Sequence, residues 1–285
     1  MTPSATTAQT AGRRIAHRTR GIRHGPITRL MSPSDLGRVV KPFVFLDLFE
    51  AEASGGPRTG LHPHSGIATV TFLMQGSVGY EDTDGRTGLL PQDGMEWMKA
   101  GGGAWHGGGA GGGGRARGFQ LWIALPPDSE LGPAESIYLA PASIPREGPA
   151  RVLLGSYGAA ASTIRPPSAL TYLFVRLDAA ERWRYSPPEG QTLCWVAIGA
   201  GDLVTSEPLR AGDLAVFEPS NAAIEFQARA DTEFVLGSAV PHPYELALGT
   251  YSVHTSPEAL HAAESRIAQI QASLIARGRL RPDPE

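Results

Sequence analysis

Glycine and proline interrupt this chain so often that no apolar stretch runs long: 35 Gly and 24 Pro in 285 residues. The apolar residues fall into short runs rich in β-branched and aromatic side chains: IATVTFLM, GFQLWIAL, LTYLFVRL, TLCWVAIG and DLAVFEP. Runs of that length, bounded by turn formers, read as strands. Several of them in succession predict an all-β sandwich or barrel. In EDTDGRTG, Asp84-Gly85 is a hairpin turn signal, because Gly accepts a positive φ without steric cost.

One segment has helical spacing instead. Ser256 is a good N-cap, Pro257 suits the first turn and Glu258 favours the positive end of the helix dipole. Leu260, Ala263, Ile267, Ile270 and Leu274 then recur every three or four residues, and Gly278 offers a stop. This stripe is expected to pack onto a sheet.

The two halves echo each other. VTFLMQGSV (Val70 to Val78) resembles LCWVAIGAG (Leu193 to Gly201), and LPQDGMEWM resembles RAGDLAVFE, aligning Asp93 with Asp213 and Trp97 with Phe217. Such similarity suggests a duplicated β domain. The stretch LPPDSELGPAESIYLAPASIPREGPA is rich in Pro, Ala and Ser and reads as the connection. The expected division is residues 1–145 and 146–285, the second part including the helix.

Charge and cysteine content exclude several functions. A net charge of -3 gives no pull toward nucleic acid or an anionic membrane, and no helix-turn-helix, basic stripe or finger pattern is present, so direct nucleic-acid binding is not expected. The basic stretch GRRIAHRTRGIRHG is short and reads as a solvated or surface-packed segment. Cys194 is the single cysteine, in an apolar run, which excludes an internal disulfide and a Cys-based zinc site and predicts a buried thiol. No apolar run is long enough for a spanning helix, and the first dozen residues lack the apolar core of a secretory signal. The expectation is a soluble, cytoplasmic protein.

The chemistry concentrates in the first half. In HPHSG, His62 and His64 stand at i and i+2, which places both side chains on one face of a strand. Pro63 between them confines the pair to a strand start, an edge or a bulge. His106, in AWHGGG, can arrive from a neighbouring strand, and three imidazoles suit zinc, copper, iron or nickel; three unrelated surface histidines are the alternative. The run Gly101 to Gly114 is dominated by glycine but lacks the strand-to-helix context of a phosphate loop. It reads as a loop over the barrel mouth or as close backbone packing.

These motifs, with GPITRLMSPSDLGRVVKPFVFLDLF upstream, GFQLWIALP downstream and PHPYELALGTYSVHTSPEAL near the end, resemble the pirin family of bicupins. The resemblance implies two cupin barrels of jelly-roll type in tandem, with a C-terminal α-helix. It implies a mononuclear divalent metal in the N-terminal barrel only: Fe(II) is the ion expected, with Zn, Cu, Ni and Mn as alternatives. His62, His64 and His106 match the three histidine ligands. The family's fourth ligand, a Glu two residues after the third His, is Gly108 here, and an acidic residue common in the first motif is Ala68. Glu96 is a substitute ligand or base by this reading, or else a surface or hydrogen-bonded carboxylate; Glu81 and Asp82 read as solvated turn residues.

Two functions follow from the resemblance. One is a quercetin 2,3-dioxygenase-like activity on a small aromatic or flavonol-like substrate with O₂. The other is a regulatory role with a protein partner, as transcriptional cofactor or modulator of a metabolic enzyme, its metal site degraded, structural or redox-sensing. Three neutral imidazoles suffice to hold a metal, so the missing carboxylate weakens the site without abolishing it.

Overall fold

In the computed structural model, which describes residues 12–52, 60–109 and 114–281, strands account for nearly all regular structure. Two seven-stranded antiparallel sheets dominate. The first runs, in spatial order, Glu135–Leu139, Met95–Lys99, Ile67–Gln75, Arg115–Ala124, Phe43–Glu52, Ile27–Met31 and Ile22–His24. The second runs Ile15–Thr19, Leu214–Phe217, Leu193–Ala200, Thr232–Ala239, Leu170–Leu177, Ala150–Leu154 and Arg146–Glu147. Each has a four-stranded companion, one containing His62–His64 and Ala104–Gly109, the other Arg182–Tyr185 and Ile224–Ala228. The architecture is the expected pair of jelly-roll barrels with a C-terminal helix.

Period-two alternation decides what each sheet buries. Along Ile67–Gln75, the side chains of Ala68, Val70, Phe72 and Met74 enter a core shared by both barrels. From the second sheet Leu170, Tyr172, Phe174, Leu193, Trp195 and Ala197 enter the same core. Phe72 meets Phe174 at 4.6 Å and Phe43 meets Trp195 edge-on at 5.3 Å between ring centroids. The alternate residues of the second sheet, among them Cys194, Val196, Ile198, Leu173 and Val175, fill that barrel's own interior with Trp183, Phe217, Phe226 and Phe234. The alternate residues Ile67, Thr69, Thr71 and Leu73 are buried as well, so the interior of the first barrel is partly polar.

The sequence echo corresponds to real equivalence, with one correction. Ile67–Gln75 and Leu193–Ala200 hold the same place in their sheets, each beside the strand that carries the second echo. Trp97, however, faces the shared core while Phe217 faces the second barrel's interior. Trp97 and Phe217 lie equally far from Asp93 and Asp213, but Phe72 pairs with Met95 whereas its echo Trp195 pairs with Val216, a one-residue offset in register that reverses the face. The supposed connection also contains an edge strand, Glu135–Leu139, paired with Met95–Lys99. The alternation within ESIYL outweighs its Pro- and Ala-rich flanks.

The chain ends are exchanged between the sheets. Ile15–Thr19 pairs with Leu214–Phe217 of the second sheet. The buried Arg13 donates to the carbonyls of Glu218 and Thr192, and Arg18 meets Asp213 at 2.7 Å, so the basic segment is surface-packed. In the opposite direction, Val253 joins Val44, Phe45, Ile67 and Trp122 in an apolar cluster of the first barrel. The helix Pro257–Ala276 follows, with Ser256 Oγ accepting from the Ala259 amide at 3.2 Å. It packs against the glycine turn rather than across a sheet: a Cβ at Gly103 would lie 3.3 Å from Ile270 Cδ1 and 3.4 Å from Ile267 Cγ1. Among the described residues no helix is long and apolar enough to cross a membrane.

Two outcomes are expected. Trp195→Ala, which empties the centre of the shared core, lowers the stability of the whole chain by about 3–5 kcal/mol in denaturant titration. Burial pushes the Cys194 thiol up to about 12, so a thiol reagent at neutral pH leaves the native protein unlabelled and reacts once after unfolding.

Candidate metal centre

His62–His64 is the edge strand of the first barrel's small sheet, a position that tolerates Pro63, which stands opposite Trp105. It pairs antiparallel with Ala104–Gly109, and the register sets His62 directly opposite His106. His64 lies two residues along on the same face. The three rings close into a triangle, with centroids 4.7, 5.0 and 5.1 Å apart. One ligand atom from each lies within 4.8 Å of the others, and among the described residues this is the one group of three or more potential ligands so arranged.

Each imidazole is held from behind through Nδ1. His62 Nδ1 meets the Gly60 carbonyl at 3.0 Å, His64 Nδ1 the Tyr251 carbonyl at 3.0 Å, and His106 Nδ1 the Glu96 carboxylate at 3.1 Å. All three partners are acceptors, so each Nδ1 carries a proton, and a neutral ring in that tautomer presents its Nε2 lone pair. Burial, with His106 adjacent, lowers the His62 pKa to about 4 and holds His64 well below the usual range. A triangle of imidazoles each tied back through Nδ1, with one ring nitrogen from each within 4.8 Å of the others, fits a divalent metal.

Glu96 is neither on the surface nor within the ligand group. It is buried in Met95–Lys99, with one oxygen on His106 and the other 2.8 Å from Thr71 Oγ1. Burial opposes its ionisation, yet His106 and the bonds from His106 and Thr71 outweigh that and keep its pKa below the ordinary value. Gly108 occupies the position two residues beyond His106, opposite Tyr80. Ala68 faces the shared core, so its position does not address the histidines. Asp82 is buried rather than solvated, and its Oδ1 accepts from the turn amides of Asp84 and Arg86, both at 3.0 Å; Glu81 pairs with Arg279 at 2.7 Å.

Sequence reasoning missed what surrounds the triangle. Trp122 lies edge-on to His64 at 4.8 Å and stacks on Phe45 at 4.1 Å, with Arg29 over Phe45 at 4.3 Å. These residues stand on strands far away in sequence, and nothing local marks them. The segment around Tyr251–Thr255 is the other missed element. Ser65 Oγ meets His254 Nε2 at 3.0 Å, and His254 Nδ1 meets Glu130 at 2.9 Å. A serine, a histidine and a carboxylate in that order resemble a nucleophilic triad. Exposures of 0%, 1% and 3% deny it a substrate, so it serves as a buried latch. Gly66, at φ +67, permits the close approach: a Cβ there would fall 2.0 Å from the Val253 carbonyl oxygen.

Comparison with known proteins agrees with this geometry. The family model described as Pirin matches residues 10–123. A Pseudomonas aeruginosa protein named as a candidate quercetin 2,3-dioxygenase is 30% identical over 233 residues, covering 76% of this chain and 81% of the relative. A pirin-like protein of Caulobacter vibrioides is 29% identical, with coverages of 72% and 76%. Among solved structures, a quercetin 2,3-dioxygenase from Acinetobacter baumannii superposes with a TM-score of 0.78 at 24% identity, covering 90% of this chain and 95% of its own. The bacterial pirin YhhW of Escherichia coli, in complex with nickel(II), gives 0.64 at 18% identity, covering 81% and 98%.

The tautomer assignment has a direct check: nitrogen-correlated NMR of the metal-free protein at neutral pH is expected to show His62 and His64 as neutral Nδ1–H forms. A lowered folded-state pKa also carries a sign. As pH falls below the ordinary 6.5, the unfolded chain takes up protons that His62 refuses until about 4. Stability of the metal-free protein, read from urea midpoints, is therefore expected to decline across that window.

Proposed function

The chain belongs to the pirin family, and we propose that it is a metal-dependent, oxygenase-type bicupin acting on a planar hydroxylated aromatic of flavonol kind with O₂. The observation that carries the reading is the three-imidazole triangle with every Nδ1 tied back. In this reading His62, His64 and His106 hold one divalent ion, Fe(II) by preference, in the first barrel, taken as residues 1–145. The second barrel, residues 146–285, holds none: its interior is filled by Trp183, Phe217, Phe226 and Phe234. A metal ion bound at the triangle supplies Lewis-acid and redox chemistry. Trp122 and Phe45 give it a dry aromatic wall beside His64, suited to a flat ring. The relatives named for quercetin 2,3-dioxygenase support the substrate class. A cytoplasmic location is part of this proposal.

Gly108 brings no carboxylate, and both Glu96 oxygens are engaged elsewhere. Neither position therefore offers a free side-chain general base, a role that typically contributes about 10²–10⁴-fold. Slow turnover is expected, with Gly108→Glu raising it. Iron-loaded protein incubated aerobically with quercetin should lose the flavonol absorbance, and His106→Ala should abolish both the loss and metal binding. Metal retention without any flavonol consumption would defeat the enzymatic reading.

The same Gly108 favours a second reading, a regulatory pirin that engages a protein partner and keeps its metal for structure or redox sensing. A stoichiometric partner whose affinity is indifferent to His106→Ala would support the purely structural form of that role.

A further inference from the structure

Of the three acceptors behind the imidazoles, two are neutral carbonyls, Gly60 and Tyr251, and one is a full negative charge, Glu96. We infer that Glu96 is a positioning residue whose buried charge, delivered through His106, offsets the charge of a divalent ion that its three neutral ligands leave uncompensated. The inference rests on the metal-binding reading above and deepens it.

Three neutral imidazoles carry no charge, so an ion in this half-buried site keeps both of its positive charges in a medium that solvates them poorly. A carboxylate on the far ring nitrogen fixes the tautomer, polarises the ring and strengthens the near nitrogen as a donor. Glu96 is placed for that role and for no other. Its second oxygen is bound by Thr71 Oγ1 at 2.8 Å, and Thr71 Oγ1 is also 2.7 Å from Gln120 Oε1. One hydroxyl proton cannot serve two acceptors, while Gln120 Nε2 is buried without a hydrogen-bond partner. Exchanging the two ends of the Gln120 amide removes the conflict at Thr71 and gives the amide nitrogen a partner, with the carbonyl oxygen taking the unpartnered place. The chain then runs from the Gln120 amide N–H to Thr71 Oγ1, from the Thr71 hydroxyl to Glu96, and from His106 Nδ1–H to the other Glu96 oxygen.

These contacts come from three neighbouring strands in exact cross-strand register, Glu96 opposite Thr71 and Thr71 opposite Gln120. With both oxygens held, Glu96 cannot swing round the imidazole to become a ligand. Asp82, whose strand pairs on the other side of His106, engages Oδ1 with its own turn.

The test is titration of metal-free full-length protein with Co(II) and Ni(II) against a competing chelator at one fixed pH. Glu96→Gln keeps an acceptor for His106 but removes the charge. It is expected to weaken affinity by about 10- to 100-fold, to shift the Co(II) d–d absorption, and to leave the melting temperature of the metal-free protein near that of wild type. Thr71→Val, which frees one Glu96 oxygen without touching a ligand, is expected to weaken binding in the same direction and keeps the test open if Glu96→Gln folds poorly. Adding Gly108→Glu to Glu96→Gln is expected to restore affinity, because a carboxylate there stands on the His106 face of the strand. Equal affinity in wild type, Glu96→Gln and Thr71→Val would overturn the role of Glu96 while leaving the metal site intact. A wild-type protein that takes up neither ion would overturn the metal site itself.

Discussion

The packing of two seven-stranded sheets against one shared apolar core sets the terms for everything else in this molecule. A strand has only two faces, so each residue given to that core decides where its neighbours point. Val70, Phe72 and Trp97 go to the core from one sheet, and Tyr172, Phe174 and Trp195 from the other. The residues between them are then committed to the two barrel interiors. In the second barrel they are apolar and the interior closes on Trp183, Phe226 and Phe234. In the first they include Thr71, Glu96 and Gln120, and that polar interior is what backs the histidine triangle.

The triangle also depends on a segment from the far end of the chain. The Tyr251 carbonyl fixes the His64 tautomer, and the Glu130–His254–Ser65 latch holds that segment against the HPHSG turn. A buried polar network of this kind is valuable only when each member has its partner, and Gly66 provides the clearance it needs. The histidine triangle is in this sense assembled by both halves, although all three histidines come from one.

Much of this was legible in the sequence. The short runs bounded by Gly and Pro specified strands because alternation and turn chemistry are local properties. The Ser256 cap and the three-and-four spacing after it specified the helix for the same reason. The i, i+2 histidines were readable because a strand places them on one face whatever surrounds it. Where the reading missed, the information was not local. Phe217 and Trp97 look equivalent until strand pairing offsets the register by one residue; ESIYL looks like a linker until it finds Met95–Lys99; Asp82 looks solvated until its turn folds over it.

By itself the sequence determined the strands, the terminal helix, the membership of His62, His64 and His106 in one set, and the absence of a carboxylate at position 108. Only the tertiary structure decided how those histidines are protonated and what stands behind them. The acceptors for His64 and His106 lie on other strands or at the opposite end of the chain, and a hydrogen bond forms between atoms that are close in space, whatever their separation along the backbone. Glu96 is the plainest case: one more acidic residue in a strand by composition, and by position the charge that His106 leans on.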